Sequence, residues 1–138
     1  MIIGAHVLIY TTNPEADRAF FREVLEIPSV DIGHGWLIFG LPPSEMAVHP
    51  SDGAFAQRHA GHTMWGALLY LMCDDLQAYV ASLAKKNVRC TEIETESWGI
   101  RTTIPLPSGG ELGLYQPTHQ TALHLTRRPP DQRPTTND

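Results

Sequence analysis

At 138 residues the chain is one domain's worth, and 42% apolar with 18% charged residues marks a folded protein rather than a disordered one. A net charge of -5 with no basic stripe argues against nucleic acid as a partner. No apolar run approaches the ~20 residues that span a bilayer. The start, Met1-Ile2-Ile3-Gly4, lacks a basic leader, and two cysteines make no disulfide framework. No membrane partner and a reduced, cytoplasmic setting are therefore expected.

Residues 2–10 alternate as a strand, with Ile3, Ala5, Val7 and Ile9 on the side expected to meet helices and His6 and Tyr10 on the other. Thr12-Asn13-Pro14-Glu15 predicts a helix start, capped by Thr12 or Asn13 with proline in the first turn. Ala16, Phe20, Phe21, Val24 and Leu25 follow at helical spacing, and the helix should stop before Pro28. Residues 29–32 and 36–41 read as a hairpin around Gly33-His34-Gly35, and 44–49 as a further strand. Residues 50–63 show no period and join two units, either covering a site or as slack.

The same order then repeats. Residues 64–72 predict an apolar strand, and Asp74 or Asp75 caps a helix whose stripe is Leu76, Tyr79, Val80 and Leu83. Lys85 and Lys86 sit near its C-terminus, where cations suit the helix dipole. Strands are expected at 88–95, 99–106 and 111–116. Cys73 and Cys90 read as small core hydrophobes. The turn Pro107-Ser108-Gly109-Gly110 feeds the last strand, which echoes the one at 44–49 about 66 residues earlier. The glycines precede a strand, not a helix, so no phosphate loop is implied.

The strings at 13–21 (Asn-Pro-Glu-Ala-Asp-Arg-Ala-Phe-Phe), 35–39 (Gly-Trp-Leu-Ile-Phe), 45–50 (Glu-Met-Ala-Val-His-Pro) and 98–99 (Trp-Gly), with the closing Leu-Tyr-Gln-Pro strand, carry a resemblance in their order and spacing. The chain resembles the vicinal oxygen chelate superfamily of glyoxalase, bleomycin-resistance and extradiol dioxygenase proteins, over residues 2 to 119. The resemblance implies an α+β fold: two βαβββ units (2–50 and 64–117) in a single domain, 1–119, with curled mixed sheets around a cleft and helices outside. A Pro-rich tail, 120–138, is expected to be largely disordered, and a homodimer is expected because many relatives pair.

Such proteins usually hold one divalent metal, here Fe, Mn, Zn or Ni, which acts as a Lewis acid on vicinal oxygens. His6 matches the first ligand position, but Ala47, Leu68 and Gly113 stand at the other three. Glu45 and His49 flank Ala47 on the same face, and Glu111 lies two residues from Gly113. His6, His49 and one of Glu45 or Glu111 would make a triad around a shifted centre. A metal-dependent lyase, isomerase or dioxygenase acting on a small oxygenated molecule is one expectation. The other is metal-free binding or sequestration: Trp36, Trp98, Tyr10, Tyr70 and Tyr115 offer flat surface, with Tyr10, Trp98 and Tyr115 the expected contacts and Arg101 holding an anionic group. The loop and tail histidines receive no role, although His119 is placed to fold back over the cleft.

Overall fold

The computed structural model describes residues 1–125. Helix α1 spans Pro14–Glu23, and its N-cap is Asn13, whose side chain accepts the Ala16 N–H at 3.2 Å. Strands β1 (Ser29–Asp31) and β2 (Leu37–Phe39) form the expected antiparallel hairpin, with Val30 opposite Ile38. Strands β3 (Gln57–His59) and β4 (His62–Met64) form a second hairpin, in the stretch that showed no period. Its two-residue turn, Ala60-Gly61, has φ of 50° and 81°. A positive φ at both positions suits the twist of a tight hairpin, but alanine does not advertise that conformation.

The second half is built around one four-stranded mixed sheet. Strand β5 (Tyr70–Met72) is followed by α2 (Leu76–Ala84), β6 (Glu94–Glu96), β7 (Gly99–Pro105) and β8 (Glu111–Pro117). The spatial order is β5-β8-β7-β6, with β5 parallel to β8 and the other pairs antiparallel. Asp75 caps α2 by accepting the Ala78 N–H at 3.0 Å.

Alternation along the sheet decides where the core lies. Leu112 and Leu114 of β8 and Ile104 of β7 point toward α2, where they meet Leu76, Leu83, Val88 and Leu106 in one buried cluster. Phe20, Phe21, Val24 and Leu25, the apolar stripe of α1 and its end, pack against the same cluster. Two polar ties hold α1 there. Asp17, only 3% exposed, accepts the Thr11 hydroxyl at 2.6 Å and the Ser108 N–H at 3.0 Å, and so joins α1 to the β7–β8 turn. Lys86 Nζ, just past α2, donates to the Val24 carbonyl at the end of α1, 2.9 Å away.

Four expected strands differ. Residues 2–10 and 44–49 form none, and Ile3, Val7 and Ile9 are exposed rather than packed on helices. Alternation names the side a strand would bury; the strand itself exists only where a neighbouring edge accepts its backbone hydrogen bonds, and no described strand pairs with either segment. The strand expected at 64–72 is broken into the end of β4 and β5. The break lies at Gly66, where any Cβ would collide with the Phe55 carbonyl, so the backbone of the preceding loop occupies the approach. The strand expected at 88–95 is reduced to 94–96, although Thr91 N–H still reaches the Thr103 carbonyl at 3.1 Å. The expected first unit is thus represented by α1 and a hairpin. No helix among the described residues is long and apolar enough to cross a membrane.

Cys73 and Cys90 are both free and pack against the core cluster. Burial, helped by Asp74 and Asp75, pushes the Cys73 thiol up from its ordinary 9.0 to about 11. At pH 8 its thiolate population is then about 100-fold below that of a free thiol, and iodoacetamide should label it about 100-fold more slowly, as mass spectrometry of timed samples would report. The stabilisation from keeping this thiol neutral is fully present below pH 9.0 and is lost as pH rises through about 11. Labelling at the free-thiol rate would mean that the thiol is not buried as described.

Candidate functional site

The face of the sheet opposite α2 carries the chemistry. Strand register sets Arg101 opposite Tyr115, Tyr115 beside Met72, and Gly113 beside Tyr70. Trp98, in the turn between β6 and β7, leans over the same face. Tyr70, Trp98 and Tyr115 meet edge to face, with ring centroids 5.1 to 6.0 Å apart. A Cβ on Gly113 would run into the Tyr70 ring, so glycine is what allows that ring to lie across β8. The position where the resemblance places a metal ligand is therefore covered by an aromatic side chain.

Polar groups gather at the phenol of Tyr115, a residue only 8% exposed. His119 Nε2 lies 3.1 Å from its hydroxyl and Glu45 Oε1 3.5 Å from it. The His119 ring stacks on the Tyr115 ring at 6.1 Å with a 22° tilt. His119 Nδ1 sits 2.8 Å from the Gln120 carbonyl, which can only accept, so Nδ1 carries a proton. In the neutral ring Nε2 is then an acceptor, and it shares the single Tyr115 hydroxyl proton with Glu45 Oε1. Burial, with the Glu45 carboxylate beside it, pushes the Tyr115 phenol up and keeps it a donor. Glu45 Oε2 also accepts the Ala122 N–H at 2.6 Å. A segment past β8 thus lies against the site, and Thr118 N–H ties it to the Trp98 carbonyl at 3.0 Å. Beyond Leu125 the expected disordered tail falls outside the described residues.

The expected site residues divide. Trp98, Tyr115 and Glu45 are brought together, and Arg101 lies on the same face. Arg101 is not free to hold an anion: Nε donates to Glu96 at 3.0 Å and Nη2 to Glu94 at 2.8 Å. The bond to Glu96 raises the guanidinium's proton affinity further, against some desolvation. Tyr10 stands elsewhere, bonded to His59 and lining a hollow of about 400 Å³ with Thr11, Thr12, Ser108 and Gly110.

The four expected metal ligands are not assembled. His6 is exposed, on no strand, and makes no hydrogen bond to another described residue. His49 Nδ1 turns to the carbonyl of its neighbour Pro50 at 2.7 Å. Glu111 accepts from Thr103 at 2.9 Å, and Glu45 is engaged as described. Among the described residues no three His, Cys, Asp or Glu side chains are grouped to hold a metal ion. The described donors do not fit an Fe, Mn, Zn or Ni centre. Two partners stood outside the expected contacts: Tyr70, one of five aromatics offered as flat surface, and His119, placed to fold back over the cleft but given no role.

No family model matches the sequence, and no curated protein matches it. Among solved structures, a lactoylglutathione lyase from Agrobacterium tumefaciens is similar over 78% of this chain and 88% of that one, with a TM-score of 0.52 at 14% identity. An antibiotic-binding protein from Streptomyces sp. CB03234 is similar over 86% of this chain and 100% of that one, with a TM-score of 0.48 at 18% identity. A glyoxalase/bleomycin resistance protein from the same source covers 77% and 93%, with a TM-score of 0.47 at 20% identity. The likeness to the lyase shows the fold: a small α+β chain with a mixed sheet and, among the described residues, two helices.

Proposed function

We propose that this chain belongs to the vicinal oxygen chelate superfamily and binds a small planar, oxygenated organic molecule on the sheet face opposite α2, without a metal. One observation carries the reading: Tyr70 and Trp98 meet each other and the Tyr115 ring edge to face, and Glu45 and His119 reach the Tyr115 hydroxyl. Flat apolar surface beside a carboxylate acceptor and a phenol suits a planar ligand with hydroxyl groups. Gly113 under the Tyr70 ring supports the absence of a metal-ligating side chain there. Metal-dependent lyase, isomerase or dioxygenase chemistry has no donor cluster among the described residues behind it.

Catechol is a suitable probe, neutral and planar with adjacent hydroxyls. In the full chain carrying Trp36→Phe and Trp65→Phe, both positions being exposed, the remaining Trp98 fluorescence reports on the site. Catechol should quench it saturably, and Tyr115→Leu should weaken that binding by about tenfold or more, the scale of one lost aromatic contact with its hydrogen bond. Chelator treatment should leave the affinity unchanged. Binding that vanishes with chelator, or that ignores Tyr115→Leu, would overturn the reading.

A further inference from the structure

We infer that the site prefers a planar cation bearing N–H donors, an amidinium or a protonated nitrogen heterocycle, and that residues 118–122 stand in its place. This goes beyond the oxygenated ligand proposed above and rests on that reading only for the place of the site. The chain's own segment shows what the face selects. It lays one flat nitrogen ring, His119, on the Tyr115 ring, and it aims one N–H, from Ala122, at Glu45. That N–H meets a carboxylate at 2.6 Å, the short range of charge-assisted hydrogen bonds.

Charge points the same way. Arg101 is neutralised by Glu94 and Glu96. Glu45, its side chain only 18% exposed, has a single cationic partner among the described residues, His119 at 3.6 Å, and that only when the imidazole is protonated. A half-buried carboxylate without a permanent counterion is costly, and a cationic ligand would supply one. A cation over the Tyr115 face, where His119 now stacks, would gain cation–π attraction. An amidinium combines all three features: a flat body, two N–H donors for the Glu45 oxygens and a fixed positive charge.

The segment would compete with such a ligand as an intramolecular occupant. The apparent affinity is reduced by the fraction of molecules in which the segment is seated, so loosening it should tighten ligand binding. Benzamidinium chloride and sodium benzoate, nearly equal in shape and opposite in charge, test this on the full chain by the Trp98 signal. Benzamidinium should bind saturably and benzoate at least about tenfold more weakly. Glu45→Gln, which keeps the size of the side chain, should weaken benzamidinium about tenfold, and His119→Ala should tighten it several-fold. Circular dichroism of each variant checks that it is folded. Benzoate binding as tightly as benzamidinium, no effect of Glu45→Gln, or weaker binding in His119→Ala would each overturn the inference. Saturable catechol binding with no benzamidinium binding would remove this inference and leave the metal-free site standing; loss of both would remove both.

Discussion

Asp17→Ala is expected to destabilise the protein by about 2–4 kcal/mol, measured by urea unfolding at neutral pH. Asp17 is 3% exposed, and both carboxylate oxygens are engaged, one by the Thr11 hydroxyl and one by the Ser108 N–H. Hydrogen bonds to a charged acceptor contribute about 1.5–3 kcal/mol each, and alanine leaves the Ser108 amide without its acceptor. The loss reaches beyond α1. Ser108 sits in the turn between β7 and β8, so the substitution detaches the helix from the hairpin whose inner face forms much of the core. Asp17→Asn retains an acceptor oxygen and should lose less. A change below about 0.5 kcal/mol in the alanine variant, the size of an ordinary surface substitution, would contradict the burial of this group.

Gly113→Glu carries the second large effect. It restores a carboxylate at the strand position where the resemblance places a metal ligand. Any Cβ there meets the Tyr70 ring, so the ring must leave its contacts with Trp98 and Tyr115. Overpacking of this kind costs about 1–3 kcal/mol. The Trp98 emission should shift as its neighbour moves, and metal analysis should find no stoichiometric ion, because no three His, Cys, Asp or Glu side chains are grouped among the described residues. A stable variant holding one equivalent of metal would reverse the account of this face. Unchanged stability alone would show that Tyr70 has an alternative seat.

Much of the second half was readable from local signals. Asp75 before an apolar helical stripe, and the Pro107-Ser108-Gly109-Gly110 turn between alternating runs, each place an element by short-range chemistry. Leu112 and Leu114 were legible as the apolar side of the last strand, and they line the core. The stretch from 50 to 63 hid a hairpin because its strands are three residues each and its turn uses Ala60 at positive φ. The candidate site was half legible. Trp98 stood out beside Gly99 and Tyr115 on the polar side of the last strand, and Glu45 as a carboxylate, though for metal binding rather than for a phenol. Gly113 looked like a missing ligand until the Tyr70 ring was found lying over it.

Period and capping, which depend on neighbours a few residues away, determined from the sequence alone where α1, α2, β7 and β8 run and which side of β8 is apolar. Partnership between distant segments was decided only by the tertiary structure. Residues 2–10 alternate as well as any strand in the chain, yet no described strand edge meets them. Glu45 bonds with Tyr115 and Ala122, which lie 70 and 77 residues further along. A strand or a polar site needs a second surface at hydrogen-bonding distance, and nothing in a local pattern says where the chain will bring one.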